Sequence, residues 1–310
     1  MACSYKDMSM KLEAIGRSVV AVRTHIPDEA FTADTLGTLR EGSGVVISSD
    51  GLVLTIGYLI TEAHEVWLTT HDGRVQAAHV IAYDQETGFG LVQSLGDLGL
   101  PPLEFGDSSA AAVGDPIALI DGQGNAVEGT IVAKQEFAGY WEYLLDEAIF
   151  TAPAHPSWGG AALVDLDGNL VGIGSLRLQM LQNGETTEIN MIVPIDLLMP
   201  ILDDLVNRGQ ADRPPRPWLG VFSAESDGQV IVMSVAEGGP AASAGLKRGD
   251  IISDVRDGQV DSLADFYRKL WSTGEAGTDV PMRIVRNGRD AWVRVKSADR
   301  NAFLVKPQLQ

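Results

Sequence analysis

The sequence predicts a mainly β chain that ends in a smaller α+β unit. Three observations carry this expectation. Between about residues 17 and 195, short apolar runs of Val, Ile and Leu alternate with Gly, Asp and Asn turns, the pattern of many antiparallel strands in a sandwich or barrel. The hydrophobic period then changes from strand-like to helical in "PIDLLMPILDDLVNRGQ". Finally, three prolines in "ADRPPRPW" (Pro214, Pro215 and Pro217) form a stiff, extended connection to the remainder of the chain. The predicted boundaries are a β domain over 10–208, a linker over 209–217 and an α+β domain over 218–308.

The elements run in chain order. "GVVISSDGLVLT", "EVWLTTHDGRVQAAHVIAYD", "PIALIDGQGNAVEGTIVAK" and "ALVDLDGNLVGIG" each hold strands broken at Asp-Gly or Asn-containing turns. Ile195, Leu198, Ile201, Leu202 and Leu205 recur at helical spacing, and Gly209 suits a C-cap. In the last part, "WLGVFSAESDGQVIVMSV" predicts two strands around Asp227-Gly228. "GPAASAGLKRGDII" predicts a short helix ending near Gly245, then a turn and a strand. "SLADFYRKLWS" predicts an amphipathic helix with Leu263, Phe266 and Leu270 on its core face. "VPMRIVRNGRDAWVRVK" predicts a hairpin turning at Asn287-Gly288.

Composition narrows the function classes. The 310 residues are 45% hydrophobic and 21% charged, as expected of a soluble globular protein. A formal charge of −19, spread along the chain, argues against nucleic acid or anionic lipid as a partner. Cys3 is the only cysteine, so an intrachain disulfide is excluded. No run reaches the length of a membrane span. "MACSYKDMSMKLEAIG" lacks the apolar core of a signal peptide, so the chain as written is expected to be cytoplasmic, or periplasmic if its start is truncated. The five histidines (His25, His64, His71, His79 and His155) form no metal-ligand spacing, and no cofactor is expected. "DGQGNAVEG", Asp121 to Gly129, lacks the residues of a phosphate loop and reads as a hairpin.

"GSGVVISSDGLVLT", "AYDQETGFGLV", "GGAALVDLDGNLVGI" and "GGPAASAGLKRGDIISDVRDGQVDSLADFYRKL", in that order, resemble the HtrA/DegP-type serine proteases over about residues 10–305. The resemblance implies a chymotrypsin-like double β-barrel followed by one PDZ domain. The triad mechanism of such enzymes needs a hydroxyl nucleophile, an imidazole base and an orienting carboxylate. The resemblance places Tyr58 where the family carries its His, in "LTIGYLI". It places Gly88 where the family carries its Asp, in "TGFGLVQ". It places Gly159 where the family carries its Ser, in "HPSWGGAALVD". All three positions are replaced, which implies a degenerate, catalytically dead member. A phenol is a poor base near neutral pH, and glycine offers no side chain.

Nearby groups are the candidates for a rearranged site. Ser157 lies two residues before Gly159 and would be the nucleophile of a shifted loop, with His155 or His64 as base. His64 is expected on a short helix after Tyr58. His155 either lines the cleft or caps the turn. Asp84 and Glu86 are expected to be turn carboxylates. The amides of 157–159 are expected to keep an oxyanion nest.

In the PDZ-like part, the resemblance implies that "WLGV" (Trp218, Leu219, Gly220 and Val221) catches the terminal carboxylate of a peptide. The peptide would add as a strand beside Val221 to Ala224 and face the helix Ser262 to Trp271, with Tyr267 and Trp271 at the groove border. The function expected is binding of peptide or protein C-termini, or unstructured segments, without cleavage. Two alternatives stand beside it: an active serine endopeptidase with a rearranged site, and a non-catalytic subunit pairing with an active HtrA-type paralogue. The resemblance implies a trimer as a frequent assembly, built through N-terminal aromatic contacts. Tyr5 is the only aromatic before Phe31, so a homo-oligomer is left open.

Overall fold

A computed structural model describes residues 5–182 and 184–305. Cys3 and the side chain of Tyr5 lie outside the described residues. The chain divides into two compact units, and the division is not continuous in sequence. One unit holds the residues up to Gln135, Glu147–Asp212 and Val305. The other holds Glu136–Asp146 and Arg213–Leu304. The sequence places residues 136–146 in the middle of the β domain, yet they pack with the second unit.

The first unit opens with helix α1 (Tyr5–Gly16), which no period in the sequence announces. A closed barrel comes next, built of β1 (Val19–His25), β2 (Leu39–Val46), β3 (Leu52–Ile56), β4 (Glu65–Thr69), β5 (Val75–Tyr83) and β6 (Phe89–Ser94) in the order β1-β2-β3-β6-β5-β4. Helix α2 (Ala33–Leu36) sits between β1 and β2. A second closed barrel is built of β7 (Pro116–Ile120), β8 (Ala126–Gly139), β9 (Tyr143–Ala152), β10 (Ala162–Val164), β11 (Leu170–Gln182) and β12 (Glu185–Pro194) in the order β10-β11-β12-β9-β8-β7. Burial explains the strands. Every residue of β3 and β10 is buried, while β4 alternates between exposed and buried positions, with one face inward. Ile117, Leu119, Ile131, Ile149, Leu163, Val171 and Ile192 form the inner cluster of the second barrel.

The helical run after β12 is broken in two. A 3-10 turn at Ile195–Leu197 precedes α3 (Leu202–Arg208). Pro200 disfavours helical backbone at the residue before it and separates the pieces. Gly209 ends α3 in the left-handed conformation, its N–H bonded to the carbonyl of Leu205.

The second unit is a six-stranded sheet with two helices. Its elements are β13 (Val221–Ser226), β14 (Gln229–Val235), α4 (Pro240–Ser243), β15 (Ile251–Val255), β16 (Gly258–Gln259), α5 (Leu263–Trp271), β17 (Asp279–Arg286) and β18 (Arg289–Lys296). The order is β13-β14-β15-β17-β18, with β16 on β15. Asp227-Gly228 and Asn287-Gly288 both turn with positive φ at each residue, as two-residue hairpins require. Ser262 caps α5 by accepting the Asp265 N–H at 3.0 Å. Leu263, Phe266, Tyr267 and Leu270 bury one face of α5 against Val221, Val232 and Val280.

Candidate functional site

Tyr58 sits in a 3-10 turn, Gly57–Leu59, at the end of β3. Buried Arg40 grips this turn. Its Nη1 donates to the carbonyls of Tyr58 at 2.7 Å and Thr61 at 3.1 Å, and its Nε donates to the Gly37 carbonyl. Burial draws the Arg40 guanidinium down to about 10, against the pull of Glu62. The Tyr58 O–H donates to the Ser175 carbonyl at 2.9 Å and accepts a hydrogen bond from the Trp158 side chain. Burial pushes the phenol above its ordinary value, so it stays a neutral donor.

Gly159 faces that hydroxyl. A Cβ placed on Gly159 would lie 2.7 Å from the Tyr58 oxygen, closer than side-chain contacts allow. A serine at 159 and the tyrosine at 58 therefore compete for one space. The turn itself is intact. The Gly159 carbonyl accepts the Ser43 N–H at 2.8 Å, and the Gly160 N–H donates to the Gly174 carbonyl at 2.8 Å.

Gly88 has φ +83, a conformation that disfavours any residue with a Cβ. Its carbonyl accepts the Gly57 N–H at 2.7 Å. Asp84 is buried and accepts the Thr87 N–H at 2.8 Å and the Thr87 O–H at 2.7 Å, which makes it a turn cap ahead of β6. Glu86 is half-buried on the same turn.

The histidines take other roles. His155 is buried, and its Nδ1 accepts the backbone N–H of exposed Ser157 at 3.0 Å. That bond leaves the proton on Nε2, which donates to the Asn125 carbonyl at 3.2 Å and lies 3.9 Å from Asp121. Asn190 fixes the backbone by accepting the His155 N–H at 2.6 Å. Of the two roles left open for His155, the geometry is that of the turn cap. The same bond commits the Ser157 amide, one of the three expected in an oxyanion nest. His64 is not on a helix. It lies in an exposed bend past the 3-10 turn, its N–H bonded to the His25 carbonyl. In "DGQGNAVEG", Asp121 to Asn125 form the turn between β7 and β8, closed by the Asp121 N–H to the Asn125 carbonyl, and Ala126 to Gly129 open β8. Among the described residues, no group of three or more His, Cys, Asp or Glu is placed to hold a metal.

The second unit presents a carboxylate-binding loop, and a carboxylate is in it. The N–H groups of Leu219, Gly220 and Val221 donate to Oε1 of Glu142 at 3.2, 2.7 and 3.0 Å, and Leu219 also reaches Oε2 at 3.1 Å. Gly220 holds φ +75, which turns the successive amides toward one point. Trp218 is buried beside the loop, with its ring 4.9 Å from that of Phe303. Glu142 is the central group of this site, and sequence reasoning misses it. It lies in the turn between β8 and β9, where "GYWEY" carries no local sign of such a contact. Burial raises its pKa to about 7, against the opposing pull of the three amides and of Arg300.

Tyr267 does not line an open groove. It is fully buried; its O–H donates to the Gly139 carbonyl at 2.7 Å and accepts the Glu142 N–H at 3.2 Å. Half-buried Trp271 stacks on Tyr267 with ring centroids 5.5 Å apart, and the Arg216 guanidinium covers its other side at 4.4 Å.

Comparison with known proteins agrees with both folds. A trypsin-like peptidase domain matches residues 42–173 and a PDZ domain matches residues 217–296. The Escherichia coli periplasmic pH-dependent serine endoprotease DegQ is 28% identical over 291 residues, covering 87% of this chain and 63% of its own length. The Bacillus subtilis serine protease Do-like HtrA is 26% identical, over 82% of this chain and 63% of its own. In both units the chain is similar to HtrA/DegP-type serine proteases. It spans about half to two thirds of the length of the curated relatives it matches, from 52% to 69%. Solved HtrA-type folds superpose over nearly its whole length. The AlgW protease with a decapeptide gives a TM-score of 0.55 at 22% identity, over 97% of this chain and 99% of that one. The Yersinia pestis serine endoprotease gives 0.56 at 23%, over 96% and 99%. Among the described residues, no helix is long and apolar enough to cross a membrane.

Proposed function

We propose that this HtrA-type chain is a pseudoprotease: it binds C-terminal or unstructured peptide segments through its PDZ domain and does not cleave them. The observation that carries the first half is the pairing of Tyr58 with Gly159. The position that the family resemblance assigns to the nucleophile has no hydroxyl, and the phenol beside it is a neutral donor committed to the Ser175 carbonyl. Without the triad, such a fold retains about a thousandfold to ten-thousandfold acceleration over water, far below useful proteolysis. A site built on Ser157 finds little support, because the Nδ1 lone pair of His155 is taken by the Ser157 backbone and its Nε2 points to Asn125.

The second half rests on the loop Trp218, Leu219, Gly220 and Val221. Its three amides converge on one carboxylate oxygen, the arrangement that captures a peptide C-terminus. The β13 edge and α5 would flank an added strand, with Tyr267 and Trp271 on the helix side.

Three measurements test the reading. A fluorophosphonate probe is expected to leave Ser157 and every other serine unlabelled, and purified protein is expected to leave casein intact; labelling of Ser157 establishes the active alternative instead. Calorimetric titration with C-terminal peptides is expected to show binding tighter than about 1 mM, roughly −4 kcal/mol. Weaker binding by every peptide, in wild type and in Glu142→Ala alike, removes the second half.

A further inference from the structure

We infer that the turn Gly139–Glu142 is a built-in ligand of the PDZ groove, and that an outside C-terminal peptide enters only by displacing Glu142. The inference rests on the reading of the groove as a peptide site, and deepens it by naming what regulates access.

The turn takes each place that a peptide would need. Glu142 occupies the carboxylate position with bonds from Leu219, Gly220 and Val221. Two residues earlier, the Tyr140 carbonyl accepts the Ser223 N–H at 2.9 Å, the main-chain pairing that an added strand makes with β13. On the helix side, Tyr267 holds the Gly139 carbonyl and the Glu142 amide. Arg268 of α5 then straddles the stems of the hairpin, pairing with Glu136 on one and Asp146 on the other. Ala138 and Leu144 pack on the apolar core beneath.

A second carboxylate cannot share these donors. Each amide has one proton, and two anions side by side in a buried loop repel each other. Binding of the turn and of a peptide terminus is therefore mutually exclusive. The backbone of Glu142 adds an independent sign. It holds φ +58, a conformation that glycine or asparagine adopts far more readily. A glycine would serve the turn but would leave the loop empty. The strained glutamate persists because its side chain and its amide are both held. Being tethered, the internal carboxylate competes at a high effective concentration. The groove is thus closed at rest, and its apparent affinity for outside peptides is reduced by the fraction of time that it is open.

The test uses the full chain as wild type, Glu142→Ala and Glu142→Gln. The probe is a fluorescein-labelled decapeptide pool with a fixed C-terminal valine, as the free acid and as the amide. Hydrogen exchange at the Leu219, Gly220 and Val221 amides is followed alongside. The expected result is at least about tenfold tighter binding of the free acid by Glu142→Ala, no such gain for the amide, and faster exchange at the three positions. Equal affinity of wild type and variant overturns the gate and leaves the peptide-binding reading standing. Binding by neither, with exchange released in the variant, overturns the peptide-binding reading and with it the gate. Unchanged exchange overturns the occupancy of the loop. Glu142→Gln keeps the side-chain volume and serves if Glu142→Ala does not fold. If neither variant folds, Glu142 is a fixed structural pin and the inference fails.

Discussion

The exclusion between Tyr58 and Gly159 can be measured as a coupling energy. Gly159→Ala adds one methyl group where the Tyr58 oxygen stands 2.7 Å away, while the next atom of that ring is at 3.7 Å, an ordinary contact. Overpacking of this kind costs about 1–3 kcal/mol. Tyr58→Phe removes the oxygen, and with it the bond to the Ser175 carbonyl and the acceptor for Trp158. Buried partners left unpaired cost about 1–3 kcal/mol. In the double variant the clash is gone, because the methyl group meets only ring carbon. The two losses should therefore fall short of adding by about 1–2 kcal/mol, within the range seen for touching residues. Urea unfolding of the four proteins, compared at matched slopes, gives the number. Tyr58 and Gly159 both lie in the first unit, so the transition to read is the one moved by Tyr58→Phe. Additivity within about 0.5 kcal/mol would mean that the phenol oxygen does not occupy the space beside residue 159, and the account of the site would fail with it.

Three further outcomes rest on the same contacts. Gly159→Ser alone should remain inert to a fluorophosphonate probe, since position 58 supplies a neutral phenol and no imidazole; brisk labelling would reveal a base near residue 159. Glu142 gives a pH signature. Its native pKa of about 7 exceeds the ordinary 4.5, so the folded state holds the proton more tightly than the unfolded one. Its contribution is complete below about 4.5 and is lost as pH rises through about 7, an amount of about 3 kcal/mol. Arg300 is the cation acting on it, and Tyr267, whose phenol burial pushes up, stays neutral throughout. The stability of wild type relative to Glu142→Gln should fall between pH 4.5 and 7, and a flat difference would refute the shift. Glu62 runs the other way. Burial pushes it up, but bonds from the Thr32 hydroxyl and the amides of Val305, Thr32 and Phe31 outweigh that and hold it below its usual value. Its contribution is present above the ordinary carboxylate range and is lost on acidification, so Glu62→Gln should flatten the acid limb of unfolding in the first unit.

Much of this architecture was legible in local sequence. The hairpin turns at Asp227-Gly228 and Asn287-Gly288 announce themselves, because only a few residue types adopt positive φ twice in succession. Strands such as β3, apolar but for Thr55, are buried at every position, with both faces covered. The helix after β12 was half legible: its period is right, but Pro200 divides it. Positions 58, 88 and 159 were singled out by resemblance to flanking motifs, while the reason that Tyr58 and Gly159 fit together was not. That reason is a distance between two side-chain positions about a hundred residues apart. Glu142 was wholly illegible. Its partners lie 77 to 79 residues away, and a glutamate in an exposed-looking turn carries no periodic or capping signal.

The persistence of the turn at 157–160 also has a physical reason that does not involve catalysis. Its backbone is held from several sides: Ser43 donates to the Gly159 carbonyl, Gly160 donates to the Gly174 carbonyl, and Ser157 donates to His155. Gly160 is further constrained, since a Cβ there would lie 1.9 Å from the Ser43 carbonyl oxygen. None of these bonds uses a nucleophile. A barrel that needs the turn for its own closure keeps the turn's shape whether or not a serine stands in it. The hydroxyl of Tyr58 stands in the space that a side chain at 159 would take. Turn and carboxylate site thus rest on different bonds: the turn is held by backbone hydrogen bonds and burial, while a carboxylate is held by three amides of the other unit.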